Sequence, residues 1–362
     1  MNNDKIIVGL SGGVDSAVTL RTLIDQGYDV EALFMKNWDE DDDDLCSAKE
    51  DLSYASDVSE KLKVKLHTVN FSSEYWDNIF LDFIEQYKNG YTPNPDIICN
   101  KLIKFKVFLD YAKNLGANKI ATGHYAKIHK NNNEFFLSKP ADLKKDQTYF
   151  LYTLSQSQLE KTIFPLESIK KDDVRKMAKN NSFKCYDRKD STGICFIGKR
   201  KFNSFISRYI DSTPGYIYNA KNEVIGEHNG IFLTTIGQRT GLGIGGMKGK
   251  SSLPWYVYKK DIENNSIYVC QGKDHDLLFH KKIYISKVNI ISEDKSYIDN
   301  KTFTSRIRHL GALEKCYVSK INKDTYQVNF ANKVKAPALG QSLVLYDNSI
   351  CVGGGIIEKI FN

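Results

Sequence analysis

The sequence predicts an α/β fold, a parallel sheet followed by a small central domain and a C-terminal β-barrel, and three observations carry that prediction. The apolar run Ile6-Ile7-Val8 feeds directly into the turn GLSGGVDS at residues 9–16. Apolar runs then alternate with helix-period segments as far as residue 126, the pattern of a parallel sheet covered on both faces. Beyond Pro214 that alternation gives way to short β-like runs separated by Gly, Asn and Asp turns.

Taken in order, residues 14–26 read as a helix closed by Gly27, and VEALFM at 30–35 as a second buried strand. Leu52, Ala55, Val58 and Leu62 mark one face of a helix, 64–71 a strand, and 75–88 a helix ending at Gly90. Residues 103–116 read as helical and 119–126 as a strand. In such a sheet, ligands bind at the carboxyl ends of the strands, where GLSGG sits. Helical pattern continues through 171–180 and 199–210. GYIYN, FLTTIG, WYVYKKD and SIYVCQG then read as strands of a central domain. KKIYISKVNI, FTSRIRHL, EKCYVSKI, TYQVNF, SLVLYD and GGGIIEKI read as a closed barrel. The implied division is 1–210, 211–278 and 279–362.

The chain of 362 residues is long enough for two or three cores, since single cores stop growing near about 250 to 300 residues. No stretch reaches the roughly 18 uncharged apolar residues of a membrane span, and no basic, apolar leader precedes the first strand. A cytoplasmic protein with no membrane partner is expected. Seven scattered cysteines, an odd number, do not read as a secreted disulfide framework. The net charge of +7 is unevenly placed: residues 1–100 hold 8 Lys/Arg against 20 Asp/Glu, and residues 101–362 hold 43 against 24. A polyanion gripped by the later part is one reading of that asymmetry, and a solvated Lys-rich surface is the other. The acidic run 39–44 reads as a solvated loop.

A strand, a Gly-rich turn and a helix in succession aim free backbone N–H groups at an anion, because the first turn of a helix has no internal partners for them. The turn Ser11-Gly12-Gly13-Val14-Asp15-Ser16 lacks the lysine of a Walker A loop and offers hydroxyls and a carboxylate instead. Asp15 then reads as a residue of the metal or pyrophosphate end, and the plainer alternative is a βα turn capped by Ser11 or Asp15. Two cysteines stand apart. Cys99 follows a Pro- and Asn-rich loop and reads as standing at a helix start, where a thiolate is favoured. Cys195 lies between Gly193 and Gly198, where the backbone can turn sharply. An inert buried thiol is the alternative at either position.

SGGVDS (11–16), FMKNW (34–38), NPDIICNKLIKF (94–105), ATGHYAKI (121–128), KDQTYFLY (145–152), STGICFIG (191–198), GQRTGLGIGG (237–246) and KAPALGQSLVLYD (335–347) together resemble the bacterial tRNA-specific 2-thiouridylases, within the PP-loop ATP pyrophosphatase superfamily. SGGxDS alone marks only the superfamily; the combination with both cysteine motifs is specific.

The resemblance implies ATP, accompanied by Mg²⁺, bound by Gly9, Leu10, Ser11, Gly12, Gly13, Val14, Asp15 and Ser16, with Met35 and Gly123 flanking the nucleotide. It implies splitting of ATP between its α- and β-phosphates, which explains a loop without the P-loop lysine. The implied substrate is the wobble uridine, position 34, of the tRNAs for Lys, Glu and Gln, thiolated at C2 after adenylation. Cys195 would carry a persulfide supplied by a cysteine desulfurase or a sulfur-relay protein, and Cys99 would be the second nucleophile, ending in a disulfide with Cys195. Asn94, Pro95 and Asp96 match the segment that contacts the flipped-out base, with Asp96 aiding proton transfer or orienting the base. His124, Lys145, Asp146, Gln147, Arg308, His309 and Gln341 match tRNA-contacting positions. At the barrel pair the sequence reads RIRHL, where a tyrosine commonly follows the arginine.

Overall fold

The structure, a computed structural model, describes residues 4–39, 48–190, 197, 201–244 and 253–361. Cys195 and most of the acidic run lie outside them. Among the described residues the strands form three sheets.

The first sheet is parallel, in the order β3-β2-β1-β4-β7. Its strands are β1 (Lys5–Gly9), β2 (Asp29–Lys36), β3 (Leu66–Asn70), β4 (Lys119–Ala121) and β7 (Thr162–Ile163). Ile6, Ile7 and Val8 of the central strand are fully buried, each worth about 1.5–3 kcal/mol of burial. Because chain order reverses between β1 and β4, a crevice opens at their carboxyl ends. Helix α1 (Val14–Asp25) leads from that crevice, and α2 (Ala48–Leu62) crosses between β2 and β3.

The next helical stretch begins as α3 (Ser72–Tyr75), passes through a π-helical turn at Trp76–Phe80 and ends as α4 (Leu81–Lys88). After it come α5 (Pro95–Cys99), a second π-helical segment at Asn100–Val107, and α6 (Phe108–Asn114). Widened turns of this kind are frequent at functional sites, and this one begins directly after Cys99. The strand expected over 119–126 ends at Ala121. Helices α7 (Gln156–Glu160), α8 (Lys171–Asn180) and α9 (Phe202–Ile206) complete this part.

A hairpin of β5 (Lys127–Asn131) and β6 (Glu134–Ser138) turns at Asn132 and Asn133, with φ of 47° and 67°. Paired left-handed residues suit a two-residue hairpin turn. The hairpin does not join the first sheet. Leu137 and Ser138 pair instead with Cys351 and Ile350 in the last strand of the chain, carrying the barrel's sheet onto the domain of the first sheet.

The central sheet has the order β10-β11-β8-β9, from β8 (Gly215–Asn219), β9 (Val224–His228), β10 (Trp255–Asp261) and β11 (Ser266–Gln271). FLTTIG, expected as a strand, is a 3₁₀ turn at Ile231–Leu233, with Phe232 buried beneath it. The third sheet runs through β12 (Phe279–Ile290), β15 (Tyr326–Lys335), β14 (Glu314–Lys320), β13 (Lys301–Arg306), β16 (Ser342–Asp347) and β17 (Ile350–Phe361). Pairing of β12 with β17 closes it into a barrel around Ile283, Ile285, Val318, Val328, Leu343 and Leu345. No helix among the described residues is long and apolar enough to cross a membrane.

Candidate active site

The turn after β1 is shaped for close approach of backbone to an anion. Gly12 has φ of 77°, in the region that favours glycine, and a Cβ there would lie 2.2 Å from the Asp51 carbonyl oxygen. Gly13, which caps α1 by position, contributes no side-chain hydrogen bond, so the helix start keeps its N–H groups toward the crevice. Inside the turn, Ser16 Oγ donates to the Gly13 carbonyl at 2.9 Å and accepts from Ser11 N at 3.2 Å. Leu10 N donates to the Leu33 carbonyl, fixing the turn to β2. A Cβ on Gly123 would lie 2.9 Å from Asp15 C and Ser16 N, so this glycine lets the β4 end pack on the start of α1. Met35 reaches the opposite side, its Cε 3.6 Å from where a Cβ on Gly9 would stand. These features fit a nucleotide's phosphates.

Gly12→Ala is expected to strain the turn by about 1–2 kcal/mol and to drive α2 off the loop. ATP affinity should then fall by about tenfold or more, since each 1.4 kcal/mol is tenfold. Isothermal titration checks this; wild-type affinity in the variant would mean that the loop does not use this conformation to hold phosphate.

Asp15 does not stand open to a metal. Lys171 Nζ donates to both its carboxylate oxygens at 2.7 Å, and Tyr125 Oη donates to Oδ1 at 2.9 Å. Lys171 also meets Asp190 Oδ1 at 2.8 Å, and Asp190 is held besides by Lys145 at 2.6 Å and Arg175 at 2.8 Å. Partial burial pushes the Asp190 carboxyl up, but hydrogen bonds from Lys145 and Lys171 prevail and bring it down to about 2. Arg188 donates to the Gly12 carbonyl at 3.2 Å and pairs with Asp51. The described residues contain no group of three or more His, Cys, Asp or Glu that could hold a metal ion. With Lys171 in this position both Asp15 oxygens are taken by an ammonium, so Asp15 could join a Mg²⁺ carried by ATP only once that ammonium has moved off.

The segment from Asn94 starts with a capped helix. Asn94 Oδ1 accepts from Asp96 N at 3.1 Å, and Pro95 takes the first helical position, where it loses no hydrogen bond. This corrects the expectation for Cys99. The helix begins four residues earlier, so Cys99 sits at the end of α5, and the pull of a helix N-terminus on its thiol does not apply. The residue is 2% exposed and packs in the main core of the nucleotide domain. Burial raises the Asp96 carboxyl above its ordinary value, against the opposing charges of Lys104 and His309.

The barrel reaches this segment. Thr92 N donates to the Leu339 carbonyl at 2.8 Å, and Gln341 Nε2 donates to the Thr92 carbonyl at 2.6 Å. Gln341 is thereby a clamp on the chain just before Asn94. His309 donates from Nε2 to the Asp146 carbonyl at 3.0 Å, its ring 4.4 Å from that of Phe150. Asp146 itself is fully buried, bonded to Arg306 at 2.8 Å and to Thr148 N and Oγ1. Its side chain joins nucleotide domain to barrel and is not a surface contact. Gln147 Oε1 accepts from Tyr125 N at 2.8 Å. His124 pairs through Nδ1 with Thr122 Oγ1 at 2.8 Å, and burial, assisted by Lys104, depresses its imidazole well below the usual value. Arg308 is exposed and donates to the Lys335 and Ala336 carbonyls.

Sequence reasoning missed Lys171, Asp190, Arg188, Tyr125 and Lys104. Tyr125 and Lys104 lie inside motifs already singled out, ATGHYAKI and NPDIICNKLIKF. The others have no local signature, because each finds its place only through contacts between distant parts of the chain.

The parallel sheet and its lysine-free Gly-rich turn at the switch point define a PP-loop nucleotide-using enzyme of the α/β class. Family models agree: the tRNA methyl transferase HUP domain matches residues 4–199, the tRNA methyl transferase PRC-barrel domain 203–271, and the aminomethyltransferase β-barrel domain 280–357. The tRNA-specific 2-thiouridylase MnmA of Vesicomyosocius okutanii is 50% identical over 98% of both chains. That of Buchnera aphidicola is 47% identical over 99% of this chain and 98% of its own. The chain belongs to the tRNA-specific 2-thiouridylase family. Among solved structures, the U34-tRNA thiolase NcsA of Methanococcus maripaludis matches 57% of this chain and 64% of its own, at 20% identity and a TM-score of 0.36.

Proposed function

We propose that the protein is a tRNA-uridine 2-sulfurtransferase that thiolates the wobble uridine of the tRNAs for Lys, Glu and Gln at the expense of ATP. One observation carries the reading. The barrel clamps the chain before the Asn94–Cys99 segment through Gln341 and Thr92 and puts His309 within electrostatic reach of Asp96, so one short segment held against the barrel carries a buried carboxyl and a buried cysteine. Residues 1–210 then serve adenylation and sulfur transfer, and 211–278 and 279–362 serve tRNA binding through the basic later part of the chain.

The uridine C2 oxygen bonds to the α-phosphorus of ATP, pyrophosphate leaves with the electron pair of the broken P–O bond, and the N3 proton is lost. Asp96, whose carboxyl burial raises above its ordinary value, is suited to exchange that proton or to orient the base. The terminal sulfur of a Cys195 persulfide attacks C2 and AMP departs. The Cys99 thiolate then attacks the Cys195 sulfur and expels the base as its thiolate, and N3 regains a proton, which leaves the thiocarbonyl on the base and a Cys99–Cys195 disulfide for reduction. Methyl transfer, which the wording of two family models suggests, would leave the pyrophosphate loop and Cys99 without a task.

The test is nucleoside mass spectrometry of tRNA incubated with the protein, ATP, a cysteine desulfurase and cysteine. Sulfur replacing oxygen in the wobble uridine, dependent on ATP, is the expected result; an added methyl group, or thiolation that proceeds without ATP, would overturn the reading.

A further inference from the structure

The loop after β1 carries no lysine, yet the fold delivers one to it. Lys171 lies 156 residues downstream of Asp15 and opens helix α8. Its backbone is pinned, Lys171 N donating to Asp142 Oδ2 at 3.0 Å, so the side chain alone is left to move. That side chain is 8% exposed and crosses the face of Tyr125, with its ammonium 5.8 Å from the ring centroid. It ends between Asp15 and Asp190, at the start of α1, where the anion cradle has its charge-attracting end.

The geometry points to Lys171 as the cation of the pyrophosphate end. In the structure it pairs with Asp15. When ATP enters, its ammonium passes to the β- and γ-phosphate oxygens and stays with them as pyrophosphate leaves. An AMP moiety, lacking those groups, gives it nothing to bind. The side chain can leave because its partners keep others: Asp190 retains Lys145 at 2.6 Å and Arg175 at 2.8 Å, and Asp15 retains the Tyr125 hydroxyl at 2.9 Å. A compact ammonium on a flexible stem suits such a transfer better than a planar guanidinium. This inference rests on the adenylation reading above.

The test is calorimetric titration of ATP, pyrophosphate and AMP into wild type, Lys171→Gln and Lys171→Arg. Loss of one charge-assisted contact predicts that Lys171→Gln weakens ATP and pyrophosphate by about tenfold to a hundredfold. AMP affinity should stay within about twofold in the same variant, and Lys171→Arg should recover part of the loss. Equal weakening of ATP and AMP would make Lys171 a structural residue, and unchanged ATP affinity in the Gln variant would remove it from the site; either overturns the assignment and leaves adenylation standing. Should Lys171→Gln not fold, Lys171→Arg decides alone: a wild-type ratio of pyrophosphate to AMP affinity overturns the assignment, and a selective loss for pyrophosphate supports it. Wild-type protein that binds no ATP at all would instead overturn the adenylation reading and this inference with it.

Discussion

Cys99→Ser and Cys195→Ser are each expected to abolish turnover, and by different routes. Cys195→Ser should accept no sulfur from a cysteine desulfurase, because the atom that forms the persulfide is gone. Cys99→Ser should load sulfur on Cys195, adenylate tRNA and deliver the sulfur to C2, then stop with protein and tRNA joined through a disulfide that no second thiol opens. The burial of Cys99, 2% exposed, fits a thiol that reacts with a group brought into the site and not with solutes at large. Intact-mass measurement of protein and of protein–tRNA adducts, with and without a reducing agent, reads each stage. Persulfide found on Cys99 alone, or repeated thiolation by Cys99→Ser, would sink the assignment of roles.

Arg306→Leu is expected to be the most destabilising of the substitutions considered. Asp146 is fully buried and Arg306 is 11% exposed at its side chain, and the pair spans nucleotide domain and barrel. Removing the guanidinium leaves a buried carboxylate with Thr148 N and Oγ1 as its donors among the described residues. Breaking one side of such a pair typically costs about 3–5 kcal/mol, whereas removing both charges costs far less. The single variant should therefore unfold at markedly lower urea than the double variant Arg306→Leu with Asp146→Asn. Hydrogen exchange should rise at 146–148 and in β13, and His309, bonded to the Asp146 carbonyl, should lose its fixed position opposite Asp96. A double variant as unstable as the single would mean that packing of the Arg306 stem, and not its charge, holds the two domains.

Much of the candidate site was legible because its parts are short and local. Asn94, Pro95 and Asp96 cap and open one helix, and residues 9–16 make one turn; each is a chemistry of neighbours, written in consecutive residues. The error at Cys99 came from the same source. A proline after an asparagine signals a helix start, and the start belonged at Pro95, which moved Cys99 from the first turn to the last residue of α5. FLTTIG failed because an apolar run of that length records burial and not backbone geometry; Ile231 and Phe232 are buried from a 3₁₀ turn. The hairpin at 127–138 did carry a signal, the Asn132-Asn133 turn between alternating residues, but its sheet could not be read from it.

The sequence by itself determined the alternation of strands and helices, the lysine-free phosphate turn, the barrel's strands and the two cysteines, because periodicity and turn preference are properties of adjacent residues. Only the tertiary structure decided that Lys171 reaches Asp15 from 156 residues away, that Asp146 faces Arg306 and not the surface, that Gln341 grips Thr92, and that β6 pairs with β17. An ion pair or an edge pairing between distant segments is selected by which surfaces meet when the cores close, and a buried charge is tolerated only where that closure brings it a partner.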